Sequence, residues 1–478
     1  MDCTNKQMEN QFYDIGMIGL GVMGRNLALN IADHGFSVLG YDKDTKKIDA
    51  LRASSGTRDM RGAQSLKEFV SFLRTPRAIM MLVPAGPPVD QVIQELLPFM
   101  ERGDVIIDGG NSHFSDMEPR TKTLKERGIL FLGVGISGGE HGARHGPSIM
   151  PGGPREAYER VRPIFEAVAA NVKGEPCVTY VGPGSSGHYT KMVHNGIEYG
   201  VMGLISETYD LMRRGLGATD DQLHEVYAQW LRGEANSYLL EITFNIFSQA
   251  DTMTNKRLID VILDEAAQTG TGMWTSQEAM KMQVPLPSID VAVAMRNMSM
   301  LQTERDKANL ILERPIRLFQ GDQKVFIEQL GDALYIGMII VYSQAMALLS
   351  VASVKRGYHL DLEALARIWR GGCIIRSDLL EDIRTAYLAD PNLPNLLVDK
   401  KLSKRVMTLE GSLRKVVSSA GELGIPAPGL MVSLAYLDAY RSAWSPANLI
   451  QAQRDYFGSH TYERSDAAGI FHTQWQSD

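Results

Sequence analysis

Five polar residues of different chemistry recur at helical spacing in one short stretch. Lys191, His194, Asn195, Glu198 and Tyr199 fall at i, i+3, i+4, i+7 and i+8, which places them on one face of a single helix. The residues between them, Met192, Val193, Gly196 and Ile197, are apolar or small. A surface helix with one wet and one dry face is the plain reading of such spacing. Against it, the polar face mixes acid, base and amide instead of repeating Glu and Lys, a set suited to a cavity that holds a polyol. Oxidising an alcohol beside a nicotinamide requires a base to take the hydroxyl proton as hydride leaves the carbon. Lysine can serve once desolvation or a neighbouring cation lowers its pKa. Lys191 is therefore the candidate base, and Glu198, two turns along, the candidate proton donor on the other side of the substrate.

A partner for that chemistry stands near the N-terminus. The apolar run Ile15 to Ile18 leads directly into Gly19-Leu20-Gly21-Val22-Met23-Gly24, then a helical pattern from Asn26 to Asp33 stopped by His34-Gly35, then a second apolar run from Phe36 to Tyr41 ending at Asp42. A glycine triplet with a strand before it, a helix after it and an acid at the next strand's end is the dinucleotide-binding pattern. Gly19 permits the tight turn, Gly21 lets backbone approach a pyrophosphate, Gly24 lets helix pack on strand, and the helix N-terminus offers free amides to phosphate. Asp42 is placed to accept from ribose hydroxyls and to repel a 2′-phosphate, which points to NAD over NADP; Lys43 beside it offsets part of that charge. Further strands are expected at Ala78 to Val83, ending in Pro84-Ala85-Gly86; at Val105 to Ile107, ending in Asp108-Gly109-Gly110-Asn111-Ser112; and at Ile129 to Val134, ending in Gly135-Ile136-Ser137-Gly138-Gly139. Ligands of open α/β sheets bind beyond the carboxyl ends of the strands, so both Gly-Gly segments read as ligand walls, with tight turns as the alternative.

The elements that must position these groups divide the chain. At 478 residues more than one domain is expected. The alternation of strand and helix fades near residue 185, and long patterns of three-to-four spacing follow. With 44% hydrophobic and 22% charged residues the composition is that of a globular protein. A net charge of -7, from 49 basic and 56 acidic residues, argues against a general binder of nucleic acid or anionic membrane. The three cysteines, Cys3, Cys177 and Cys373, lie too far apart for a disulfide framework or a structural zinc site. The N-terminus lacks an apolar signal core. Ala333 to Val354 is uncharged and long enough to span a bilayer, yet carries several polar residues and stands alone, so it reads as a buried helix. A soluble, cytoplasmic protein is expected. In the apolar helical run Val291 to Met298, Arg296 reads as a buried cation in need of an anion, either an internal carboxylate or a ligand.

Taken together, GLGVMG, DGGNSH, GVGISGGEHGARHGPSIMPGG, KMVHNGIEYG, GTGMWT and NLIQAQRDYFGSHTYE resemble the decarboxylating 6-phosphogluconate dehydrogenases over essentially the whole chain. The resemblance implies an α/β Rossmann-type N-terminal domain (1–185), a large all-α substrate and dimerisation domain (186–445) and an extended C-terminal tail (446–478) that reaches the partner subunit of a homodimer with shared active sites. It makes Lys191 the general base and Glu198 the general acid. It implies that Asn111, Ser137, Gly138, Gly139, His194, Asn195 and Tyr199 contact the sugar acid and that Arg296 helps hold its terminal anion, with Arg454 and His460 supplied across the dimer. The cofactor site it implies comprises Gly19, Leu20, Gly21, Val22, Met23, Gly24, Asp42, Lys43, Val83, Pro84, Ala85 and Asn111, with no metal. The expected reaction is oxidation of 6-phosphogluconate and loss of CO2 to a ketopentose phosphate, ribulose 5-phosphate.

Three departures bear on these expectations. Asp42-Lys43-Asp44 stands where NADP-using members have Asn-Arg-Thr, and Pro84 where they usually have lysine; both changes reinforce NAD. Thr269 stands where the family lysine binds the substrate's 6-phosphate, and Met273 replaces a second lysine. A lost charge-assisted bond costs ~1.5–3 kcal/mol, which makes the monoanionic 6-deoxy-6-sulfogluconate an alternative substrate. A dinucleotide-binding regulator that has lost catalysis is a further alternative. The presence of both Lys191 and Glu198 argues against it.

Overall fold

The computed structural model describes residues 12–312 and 317–475; Cys3 and the polar N-terminal segment through Gln11 lie outside them, as does Asp478. Seven short segments form one sheet: Ile15–Ile18 (β1), Val38–Tyr41 (β2), Met60–Gly62 (β3), Ala78–Met81 (β4), Val105–Asp108 (β5), Leu130–Ser137 (β6) and Ser148–Gly152 (β7). Their order is β3-β2-β1-β4-β5-β6-β7. The first six run parallel, and β7 returns antiparallel beside β6, with Val134 opposite Pro151 and Gly133 opposite Gly152. Almost every residue of the central strands β1, β4 and β5 is buried, as helices on both faces require. The order reverses between β1 and β4, so the turns after these strands flank a crevice at the sheet's carboxyl edge.

The sheet's extent differs from the expectation at three places. β2 and β4 are shorter than expected, beginning at Val38 and ending at Met81. β6 runs on through Gly135-Ile136-Ser137 because β7 pairs with it there. Pro151 and the surrounding glycines disguised β7, and an edge position is where a strand tolerates proline.

Among the described residues beyond 185 the regular structure is helical apart from a hairpin of two-residue strands, Tyr462–Glu463 with Ile470–Phe471. A 33-residue helix, Gln323–Lys355, runs through the middle with Ala333 to Met346 entirely buried. The expected bilayer-length stretch is thus a core helix. It packs against Ser186–Asp210 and Lys400–Leu423 in a single apolar core. Ser186–Asp210, hereafter the Lys191 helix, joins the two halves. A Cβ at Gly187 would lie 2.2 Å from the Gly133 carbonyl oxygen, and one at Gly135 would lie 2.5 Å from Lys191 Cβ. Helix and sheet therefore touch backbone to backbone, and Lys191 is held directly over β6.

Candidate functional site

Only a glycine adopts the backbone at position 19 without strain, where φ is +89°. At Gly24 an added Cβ would stand 1.8 Å from the Gly19 carbonyl oxygen, so helix Val22–Asp33 can follow β1 this closely only with glycine there. Gly21 is different: nothing lies within 4 Å of where its Cβ would be. It also caps the helix without a side-chain acceptor, leaving the first-turn amides free for an anion. A cradle that is open at Gly21, closed around Gly19 and Gly24 and tipped with unpaired N–H groups fits a dinucleotide pyrophosphate. Leu20 is buried beneath the turn, and Val22 is exposed at its rim. Opposite, Val83 is half-buried while Pro84, Ala85 and Asn111 are exposed.

Asp42 has a structural task besides the one its position suggested. Its Oδ2 accepts from the Leu20 N–H at 2.8 Å and lies 3.6 Å from Lys47 Nζ, and its Oδ1 accepts from the Asp44 N–H at 2.9 Å. The carboxylate thus ties the glycine turn to the end of β2. Lys43 pairs with Glu95 at 2.8 Å.

Across the crevice the Lys191 helix is buried on every side from Ser186 to Ile197, so its polar residues meet one another and not solvent. Lys191 Nζ donates to Asn195 Oδ1 at 2.6 Å and sits 3.4 Å from His194 Nδ1. His194 Nδ1 lies 3.0 Å from the same Asn195 oxygen, and its Nε2 lies 3.0 Å from Ser137 Oγ. Asn195 Oδ1 can only accept, so the imidazole carries its proton on Nδ1 and takes a hydrogen bond from Ser137. Asn195 Nδ2 in turn donates to Thr271 Oγ1 at 3.2 Å. Burial pushes the Lys191 amine below the ordinary lysine range, and Glu198 opposes this in part. Burial pushes Glu198 above the ordinary carboxylate range, with Lys191 and Arg296 opposing. His194 is pushed well down by burial and by Lys191, which keeps it neutral. One face of one helix therefore carries an amine biased toward its basic form and a carboxyl biased toward its acid form, an arrangement suited to proton transfer near neutrality.

The other expected site residues are placed as follows. Ser137 ends β6, and Gly138 caps helix Gly139–His145. A Cβ at Gly138 would strike the Gly372 carbonyl at 2.5 Å, whereas Gly139 faces open space. Gly109 and Gly110 are likewise closed in by Met80 and by the Val83 carbonyl. Glycine is thus required by packing at Gly109, Gly110 and Gly138, while Gly139 faces open space. Arg296 is a correction: its residue is half-exposed, its guanidinium lies 3.7 Å over the buried Tyr199 ring, and it donates weakly to the Ala267 carbonyl. It makes a cation–π contact and, among the described residues, no ion pair. Thr269 is exposed in the irregular stretch before helix Thr271–Met282, and Met273 is also exposed. Arg454 and His460 lie exposed in and just after helix Ala447–Gly458, where Arg454 bonds Gln451 and His460 stacks on Phe457, both from the tail itself.

Thr271 and Asp108 went unnoticed in the sequence, as did His188 on the Lys191 helix. The GTGMWT motif around Thr271 and the DGGNSH motif that begins at Asp108 were the signals available; nothing marked His188.

A glycine-cradled crevice on a Rossmann-type sheet, facing a buried lysine on the first helix of an all-helical half, defines a dinucleotide-dependent dehydrogenase. Residues 14–182 match the model of the NAD binding domain of 6-phosphogluconate dehydrogenase, and residues 187–475 match that of its C-terminal domain. A Bacillus subtilis protein, "6-phosphogluconate dehydrogenase, NADP(+)-dependent, decarboxylating", is 50% identical over 462 residues, 96% of this chain and 98% of its own. A Synechococcus elongatus 6-phosphogluconate dehydrogenase, decarboxylating, is 49% identical over 464 residues, 96% and 98% of the two chains. The solved Plasmodium falciparum 6-phosphogluconate dehydrogenase superposes with a TM-score of 0.94 at 44% identity, covering 97% of this chain and all of that one. The chain belongs to the 6-phosphogluconate dehydrogenase family.

These relatives overturn the expected preference for NAD. The Bacillus subtilis protein is NADP(+)-dependent by name, and the Plasmodium falciparum enzyme is described with NADP+ as its cofactor. The physical reason is that Asp42 is not a free anion. Its side chain is only 11% exposed, is held by two backbone amides and stands beside Lys47, so its repulsion of a 2′-phosphate is weaker than its position implied. The sulfonate alternative finds no support among the relatives, which are named for 6-phosphogluconate.

Proposed function

We propose that this protein catalyses the oxidative decarboxylation of 6-phosphogluconate to ribulose 5-phosphate and CO2 with NADP+ as the oxidant. The observation that carries the proposal is the buried cluster on the Lys191 helix, in which Asn195 holds Lys191 and Ser137 holds His194, with Glu198 two turns along the same face. Lys191 takes the proton from the C3 hydroxyl. The Gly19–Gly24 cradle would hold the dinucleotide, which would supply the two-electron oxidant for C3. The resulting β-keto acid breaks its C1–C2 bond, CO2 leaves, and the electron pair moves onto the C3 oxygen, where the Lys191 ammonium polarises the ketone and returns its proton. Glu198 then protonates C2 of the enediol while the neutral Lys191 amine takes back the C3 hydroxyl proton, which leaves the ketone of the product.

Ser137, His194 and Asn195 orient the sugar acid by the hydrogen-bonded chain that also fixes Lys191, with Asn111, Gly138, Gly139 and Tyr199 completing the wall. The 6-phosphate lies toward Arg296, Thr269 and the free end of helix Thr271–Met282. Arg454 and His460 of the partner subunit close the site in a homodimer. The tail's exposed Leu449, Ile450, Phe457 and Ile470 support that docking, since apolar area of this kind marks an interaction surface. In this reading residues 1–185, 186–445 and 446–478 are the cofactor, substrate and docking units of a cytoplasmic enzyme.

The test is kcat/KM of the purified protein for 6-phosphogluconate against gluconate, each with NADP+ and with NAD+. Preference for the phosphorylated acid and NADP+ is expected. Equal use of gluconate would remove the phosphate from the proposal.

A further inference from the structure

Asp108 ends β5 with none of its surface exposed, a costly place for a carboxylate unless several partners hold it. Its partners come from three directions. Oδ1 accepts from the Gly110 N–H at 3.0 Å and Oδ2 from the Ser112 hydroxyl at 2.6 Å, which folds the 109–112 turn back on the strand and presents Asn111 from it. Oδ2 also lies 3.5 Å from Arg120 Nη1. Arg120 is itself buried; it donates to the Gly86 carbonyl at 3.1 Å and pairs with Asp90 at 2.7 Å, so it holds the Pro84-Ala85-Gly86 turn. The third partner belongs to the helical half: His188 Nε2 stands 3.4 Å from Asp108 Oδ2, both side chains fully buried. Among the described residues Nε2 has no aligned hydrogen-bond partner, and the Asp108 carboxylate is the charged group beside it.

His188 lies one turn before Lys191 on the same face of the same helix. A single buried carboxylate thereby reaches the turn after β5, through Arg120 the turn after β4, and the helix that carries the base. The surroundings leave no slack: a Cβ at Gly133 would lie 2.8 Å from His188 Cδ2, so the ring is wedged against β6. We infer that Asp108 and His188 form a strut between the two halves that sets the position of Lys191 relative to the Asn111 and Pro84 turns, and so the geometry of proton and hydride transfer. The inference rests on the reaction proposed above. Neither residue meets the substrate: they are positioning residues, acting through Lys191 and Asn111.

The experiment compares His188→Leu, His188→Gln and wild type with 6-phosphogluconate and NADP+. It measures kcat, both KM values, the melting temperature and the isotope effect on kcat with substrate deuterated at C3. Wild-type turnover tests the reaction alone; the variants test the strut. His188→Leu is expected to lose on the order of 10- to 100-fold in kcat, the cost of displacing reacting groups by about an ångström, with KM values changed far less and a larger isotope effect as hydride transfer becomes slower. His188→Gln, which restores a donor near the position of Nε2, is expected to recover part of that loss. A His188→Leu enzyme with wild-type kcat and isotope effect would overturn the inference. So would a His188→Gln enzyme no better than His188→Leu at equal melting temperature.

Discussion

Replacing Asn195 tests how the buried lysine is tuned. Its Oδ1 accepts from Lys191 Nζ at 2.6 Å and lies 3.0 Å from His194 Nδ1, with Lys191, His194 and Asn195 all buried. Asn195→Leu keeps the approximate volume and removes both acceptor contacts. A hydrogen bond to a charged donor contributes ~1.5–3 kcal/mol, and 1.4 kcal/mol is about tenfold in rate. If that bond holds the amine toward the substrate, kcat/KM should fall about 10- to 100-fold. The ammonium also loses its one close acceptor, so the acidic limb of the kcat/KM profile, where the base becomes protonated, should move to lower pH. Asn195→Asp places a carboxylate at the same point and should move the limb to higher pH. The assay is reduced-cofactor formation by purified variants from pH 5 to 10 in a constant-ionic-strength buffer. Both variants sharing the wild-type limb would refute the role of Asn195 in setting the state of Lys191, and full activity in Asn195→Leu would refute its role in placement.

Lys191→Gln should lose about 10²–10⁴-fold in kcat, the usual contribution of a positioned base, while the variant still binds NADP+ in a fluorescence titration. Glu198→Gln should lose the basic limb of the kcat profile, because the acid form is the one the reaction uses and no group replaces it; an unchanged limb would assign that limb elsewhere. Lys191→Gln and Arg454→Ala proteins, each impaired, should regain activity after mixed refolding if the tail completes a neighbouring subunit's site, and no gain on mixing would place Arg454 outside it. Glu207, buried and pushed up to about 7 by desolvation, accepts from the Gly429 and Leu430 amides. Its protonated form is favoured by folding, so the stability it contributes is present below the unfolded carboxyl range and is lost as pH rises through about 7. Melting temperatures across pH 5 to 8 should slope down less steeply in Glu207→Gln than in wild type.

The glycine turn was legible because each glycine answers to a local demand: a positive φ at Gly19, a collision at Gly24, open space at Gly21. The stripe from Lys191 to Tyr199 was legible as one face, yet its burial was not, because a helix clamped between a sheet and a helical core has no solvent face and periodicity alone does not reveal that. Asp108 and His188 are 80 positions apart in sequence, and Asn195 and Thr271 are 76 apart. Such pairs exist only once the Lys191 helix has docked on β6. Asp42 shows the opposite failure. Its type and position suggested a ribose acceptor, but its carboxylate is turned into the glycine turn, and the relatives use NADP. Arg296 stood in an apolar run, but the helix that carries it leaves that face half-open beside Tyr199.

The most direct measurement supplies the purified protein with NADP+ and 6-phosphogluconate labelled with ¹³C at C1, and follows reduced cofactor and labelled CO2 together. The account predicts equal amounts of each, with ribulose 5-phosphate as the remaining product. Reduced cofactor without labelled CO2 would contradict the decarboxylation, and formation of neither product would contradict the assigned reaction.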